Sequence, residues 1–262
     1  MKRTFAWPLV LFSLLTFSCQ QVSKYGQPIA RPEVITKSTV IFSAYWYKYV
    51  RLGEDYTALD SAENILDKGL FLKALMTGRY LPLRLTTKDS SAYYQLYPFE
   101  NANGDIKFSI QRWSEQLYSN YQKEGKTLPG LPWVDVKGNV YNVENTKGKI
   151  LVLKCWFVHC LPCVKEMPAL NELVRDYSNR KDILFVSLAF DKKSALDSFL
   201  AKTKFDYATV AEKKAYMIDT LGIMAWPRHI LVNKQGIISK VLNDKKELAI
   251  ALKKEAAKQP AL

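Results

Sequence analysis

The chain has 262 residues, with 38 lysines and arginines against 25 aspartates and glutamates, a formal net charge of +13, and 48% hydrophobic against 24% charged residues. That balance excludes a largely disordered chain, and the length suffices for two modest cores, so two are expected. The basic residues are spread along the chain rather than gathered into one stripe, so solvated surface accounts for the charge and no nucleic-acid partner is expected.

Lys2 and Arg3 precede an apolar stretch from Phe5 to Phe17. The stretch is too short to span a bilayer and suits the apolar part of a secretory signal. Ser18 then stands directly before Cys19 in "LLTFSC". This resembles the bacterial lipoprotein signal, in which the cysteine is lipidated and becomes the mature N-terminus. Phe17 is bulky for that pattern, which leaves plain secretory cleavage or an uncleaved anchor as alternatives. Each places the body of the protein outside the cytoplasm. Residues 1–18 are read as the signal peptide and 19–32 as a lipidated N-terminus with a polar tether through Tyr25 to Arg31.

Residues 33–123 are rich in Tyr, Trp and Phe and read as a small α+β domain of unknown role. A strand is expected near "STVIFSAYWY" and a helix through "DSAENILDKGLFLKALMTG", capped by Asp60 or Ser61. Strands are expected at "YLPLRLTT", "AYYQLYPF" and "DIKFSIQ", then a helix through "WSEQLYSNYQKEG". The aromatic residues suit a core, with part of them available as a recognition surface for a protein client or for dimerisation.

"EGKTLPGLP" reads as a linker, and residues 124–262 form the second domain. "WVDVKGNVYNV" reads as a hairpin turned at Gly138-Asn139, and "KILVLKCWFV" as a strand buried on both faces. A helix from about Pro162 to Tyr177 follows, then a strand at "ILFVSLAF", a helix at "SALDSFLAK", a strand at "YATV" and a helix near "KKAYMIDTLG". A hairpin of "HILVNK" and "GIISKVL", turned at Gln235-Gly236, and a helix from Lys245 to Ala257 complete the chain. The order is β-α-β followed by β-β-α, an α/β class.

Setting Cys19 aside leaves Cys155, Cys160 and Cys163, an odd number for a framework of structural disulfides. Structural zinc wants four ligands, and the only histidines are His159 and His229. A redox pair needs two sulfurs at a helix start, which Cys160 and Cys163 supply in "WFVHCLPCVKEMP".

That motif, Pro168 five residues after Cys163, and "GIMAWPRHILVNKQG" together resemble the thioredoxin fold of the TlpA/ResA-like thiol-disulfide oxidoreductases, over roughly Lys126 to the C-terminus. The resemblance implies a catalytic dithiol with no further cofactor and no metal. It implies that Pro227 is a cis-proline, where the plainer reading is a trans proline that begins a strand, and that Trp226 lies against the redox pair with Leu161 and Pro162, together meeting an extended substrate strand. At a helix N-cap the Cys160 sulfur would face unpaired backbone N–H groups and the positive end of the helix dipole, which favours its thiolate. Cys160 is therefore expected to attack and Cys163 to resolve the mixed disulfide.

Glu166 falls where ResA-like proteins carry a functional acid, to tune a thiol or assist proton transfer, against the plainer reading of an exposed helix carboxylate. Lys154 stands where thioredoxins place a buried acid, and a cation there would further favour thiolate. His159 replaces the tryptophan that usually precedes the first cysteine. It could stabilise the Cys160 thiolate or be a surface histidine. His229 reads as a strand residue and Cys155 as a buried small hydrophobe, although His159, His229 and the two sulfurs could converge.

The expectation is a lipid-anchored, extracytoplasmic enzyme that reduces or exchanges protein disulfides, fed by a membrane electron donor, with cytochrome c maturation as one setting. Three alternatives are weighed, the first a nonenzymatic receptor module whose cysteines are vestigial. A copper chaperone of similar fold would place three residues between its cysteines, where this chain has two. A peroxiredoxin-like peroxidase would need a threonine upstream of its cysteine, where this chain reads "CWFVH".

Overall fold

The computed structural model of the chain describes residues 23–87, 91–99 and 104–258. The signal and lipidation readings at residues 1–19 lie outside the described residues.

The first region runs through α1 (Pro32–Ile35), α2 (Thr39–Tyr49), β1 (Thr57–Leu59), β2 (Ile65–Leu66), α3 (Lys68–Met76), β3 (Tyr80–Arg84), β4 (Tyr93–Pro98) and α4 (Gly104–Tyr121). Its sheet has the order β2-β1-β4-β3, with β1 parallel to β4 and the other pairs antiparallel. One aromatic core, including Phe42, Tyr45, Phe71 and Tyr94, joins sheet and helices.

Three expected elements are corrected here. "STVIFSAYWY" is helical: Ser38 caps it by accepting from the Ile41 N–H, and Phe42, Tyr45 and Trp46 fall at helical spacing on its buried face. "DIKFSIQ" is also helix. Its Ile106, Phe108 and Ile110 alternate as in a strand, but α4 buries Ile106, Ile110, Ser114 and Leu117 and leaves Phe108 63% exposed. The helix expected from Asp60 begins only at Lys68, because the Asp60 carboxylate accepts from the Ala62 and Asn64 N–H groups and turns β1 back into β2. Asp67 is the cap, accepting from the Gly69 and Leu70 N–H groups.

Neither connecting segment hangs free. In the stretch read as a tether, Pro28 bridges to Leu85 and Gly26 presses against the Thr86 carbonyl at φ +112°. In the linker, the Gly125 N–H donates to Ile238, the Ile238 N–H to Lys126 and the Leu128 N–H to Gly236.

The second region runs through β5 (Trp133–Val134), β6 (Val140–Tyr141), α5 (Val143–Thr146), β7 (Ile150–Trp156), α6 (Leu161–Asp176), β8 (Ile183–Ala189), α7 (Lys193–Leu200) and β9 (Ala208–Val210). A π-helical turn at Tyr216–Thr220, β10 (Arg228–Val232), β11 (Ile238–Leu242) and α8 (Lys245–Lys258) complete it. The five-stranded sheet has the order β11-β10-β7-β8-β9, with β7, β8 and β9 parallel and β10 antiparallel to both its neighbours.

All seven residues of β7 are buried, and they serve two cores by turns. Leu151, Leu153 and Cys155 face the cluster that holds Met217 and Leu221, whereas Ile150, Val152 and Trp156 face the clusters of α6, α7 and α8. The architecture is therefore α/β, a thioredoxin-like sheet with helices preceded by a smaller α+β region. Among the described residues no helix is long and apolar enough to cross a membrane.

Candidate active site

The end of β7 turns straight into α6, and this sets the two sulfurs. The Val158 N–H donates to Asp191 Oδ2 at 2.9 Å, the Cys160 N–H donates to the Phe157 carbonyl, and Cys160 then stands at the N-cap of α6. Pro162 lies in the first turn, where its missing N–H costs nothing. Cys160 and Cys163 form a disulfide with an S–S distance of 2.00 Å. Cys160 is 4% exposed and Cys163 fully buried, while Leu161 beside them is 63% exposed.

The Trp226–Pro227 peptide before β10 is cis. Trp226 packs in the same cluster as both cysteines and meets Phe190 and Phe157 edge-on, at centroid distances of 4.9 and 6.2 Å. Exposed Met224 lies two residues before Trp226, and His159, one residue before Cys160, is also exposed.

Beneath the disulfide the chain buries three ionisable side chains together. Residues two apart on a strand share a face, so Lys154 points with Val152 and Trp156 toward α6. His229 of β10 is its direct cross-strand neighbour. Glu166, one helical turn after Cys163, lies on the buried face of α6 and meets both. Lys154 Nζ donates to Glu166 Oε2 at 2.8 Å, His229 Nε2 approaches the same oxygen at 3.1 Å, and the Lys245 N–H donates to Oε1.

Glu166 is therefore not the exposed carboxylate that the plainer reading described. Burial alone would raise its pKa, but the His229 hydrogen bond and the Lys154 charge overcome this and hold it down at about 2. Burial lowers both Lys154 and His229. An ionised carboxylate can only accept, so His229 donates its Nε2–H to it. The possible convergence of both histidines with the sulfurs does not occur: His159 is exposed, His229 fully buried, and among the described residues no three His, Cys, Asp or Glu side chains gather as metal ligands. Cys155 sits on the opposite face of β7, its thiol pushed up to about 12 by burial.

With this geometry, relatives become informative. The family described as Thioredoxin-like matches residues 148–238. Over 148 residues the chain is 30% identical to thiol-disulfide oxidoreductase ResA of Bacillus cereus, covering 53% of this chain and 85% of that protein. The chain belongs to the thioredoxin-like thiol-disulfide oxidoreductases. It is also 25% identical over 133 residues to the thioredoxin-like protein YneN of Bacillus subtilis, covering 48% of this chain and 78% of that one. Among solved structures, a thiol:disulfide interchange protein from Bacteroides sp. is 23% identical, with 50% of this chain and 88% of that chain covered and a TM-score of 0.44.

In this oxidoreductase, sequence reasoning missed Phe157, Phe190 and Arg228. Phe157 and Phe190 stack at 5.1 Å and wall the Trp226 side of the dithiol. Arg228 is 2% exposed, registers against Cys155 and donates through Nη1 to Asn243 Oδ1. Only its place directly after Pro227 could have flagged it.

Proposed function

We propose that this oxidoreductase reduces or exchanges disulfides of protein clients outside the cytoplasm, tethered to a membrane through lipid on Cys19 and recharged by a membrane electron donor. The observation that carries the redox core of this reading is the Cys160–Cys163 pair at the start of α6, with Trp226 of the cis peptide in the same cluster. The Cys160 thiolate attacks one sulfur of the client disulfide, forming a mixed disulfide and releasing the first client thiolate. Cys163, deprotonated, then attacks the Cys160 sulfur, closes the Cys160–Cys163 bond and releases the second client thiolate. Two electrons thus pass to the client, and the donor must return two to the enzyme.

Leu161 and Pro162, both exposed, and Trp226 beside cis Pro227 form the surface offered to a client strand. Glu166, held ionised by its partners, acts as a fixed charge that tunes the buried thiol rather than as a proton donor. His159 is free to favour the Cys160 thiolate from the solvent side. The extracytoplasmic placement and the anchor rest on the apolar N-terminus and Cys19, and a role in cytochrome c maturation on the ResA relationship alone.

The test is the reduction potential of the dithiol in the chain beginning at Gln20, together with turnover of insulin disulfides. A potential of about −250 mV or lower supports a reductase, and a value near about −120 mV recasts the enzyme as an oxidant. Cys160→Ser should abolish turnover. Unchanged exchange in that variant would sink the assignment.

A further inference from the structure

Beside cis Pro227, between the two regions, lies a cavity of about 390 Å³. The first region lines it with Trp46 and Tyr47 of α2 and Trp113 of α4, and the second with Glu166, Asn243, Asp244 and Glu247 around the start of α8. The rings form one cluster: Trp113 lies 4.8 Å from Trp46 and 5.7 Å from Tyr47, centroid to centroid, and Tyr47 is 69% exposed.

The carboxylates differ in how they are satisfied. Glu166 is paired with Lys154 at 2.8 Å, and Asp244 with Arg51 at 3.3 Å. Glu247 is only 4% exposed and accepts from the Asn243 N–H at 2.9 Å, yet it has no salt bridge among the described residues. Burial, with Asp244 and Glu54 nearby, pushes its pKa up to about 7 against the hydrogen bond from Asn243 and the pull of Arg51. Arg51, which also lines the cavity, is committed to Asp244, so Glu247 is a buried carboxylate without a salt-bridge partner, a site lacking one component. Aromatic faces attract cations, and the long apolar stem of a lysine or arginine packs on them. Rings and carboxylate therefore ask for the same occupant.

Resting on the redox reading above, we propose that this cleft takes a lysine or arginine side chain of the client polypeptide, so that the amino-terminal region selects disulfides flanked by a basic residue. The client strand that passes Pro227 to reach Cys160 carries the cation into the space between Glu247 and the rings. The aromatic half of the recognition thus comes from the part of the chain that holds no cysteine among its described residues, and the carboxylate from the part that holds the dithiol.

The experiment uses the full chain with dithiothreitol as reductant and synthetic peptides bearing one internal disulfide. Arg, norleucine or Glu is placed in turn at each of several positions flanking the cysteines, and bis(2-hydroxyethyl) disulfide serves as a client with no side chain to recognise. At the best position the Arg peptide should exceed the norleucine peptide about tenfold in kcat/KM, with Glu lowest. Glu247→Gln and, at the exposed mouth, Tyr47→Ala should each bring the Arg-to-norleucine ratio toward one, while Phe108→Ala, on α4 but outside the cleft, should keep it. Equal rates for Arg and norleucine everywhere, a preference for norleucine, or a ratio that survives both cleft variants would overturn the proposal. Loss of turnover on every disulfide, the hydroxyethyl compound included, would instead overturn the redox reading and this inference with it.

Discussion

The two regions bury polar groups in opposite ways. In the amino-terminal core two buried tyrosine hydroxyls are tied to backbone: Tyr45 donates to the Pro82 carbonyl and accepts from the Arg84 N–H, and Tyr94 donates to the Tyr49 carbonyl and accepts from the Arg51 N–H. Each hydroxyl joins a helix or its end to the sheet and carries no charge. The thioredoxin-like core instead encloses Lys154, Glu166 and His229 together on the face that α6 covers. Taking charges out of water is costly and adds little stability, so their presence beneath the sulfurs points to chemistry, whereas the tyrosines point to architecture.

Breaking the charged set should have the largest effect on stability. Lys154→Met removes the fully buried cation paired with Glu166 and should cost about 3–5 kcal/mol at pH 7, read by denaturant unfolding. The sign with pH is fixed by Glu166, whose folded pKa is depressed to about 2. Its contribution is present above the ordinary carboxylate pKa and is lost as pH falls toward 2, so the gap between Lys154→Met and the parent should narrow in acid.

Tyr94→Phe, the matching test in the other core, deprives the Tyr49 carbonyl and the Arg51 N–H of their partner and should cost about 1–3 kcal/mol with no narrowing in acid. Glu247→Gln should go the other way. A carboxyl whose folded pKa is raised to about 7 contributes most below its unfolded pKa and loses that contribution as pH rises through 7. The variant's Tm should therefore exceed the parent's by a few degrees at pH 8 and match it at pH 4. Phe108→Ser, on the exposed face of α4, should change stability by less than about 0.5 kcal/mol.

The same contrast governs what could be read from sequence. The disulfide-bonded cysteine pair, its helix, the buried central strand and the closing hairpin are local patterns: a continuous apolar run, CxPC at a helix start, and a Gln235-Gly236 turn with Gly236 at φ +77°. The triad was not legible as a unit. Lys154 and His229 meet only through cross-strand register, and Glu166 joins them only because α6 lies over that face. In the amino-terminal region the β-branched and aromatic residues of "STVIFSAYWY" and the alternation of "DIKFSIQ" imitate strands, and packing against the sheet decided for helix. Ser38 and Asp67 were the usable signals, since each is a side chain able to cap the helix that follows it.

The hydrogen bonds of residues 125–128 to the segment 236–238 also have a consequence for aggregation. β11 is the outer strand of the five-stranded sheet, and an outer strand with unpaired N–H and C=O groups is a template on which other chains can add. Here the passage between the two regions occupies the start of that edge. A nick in this stretch would uncover it, so the carboxy-terminal half cut free at residue 129 should self-associate more readily than the intact chain.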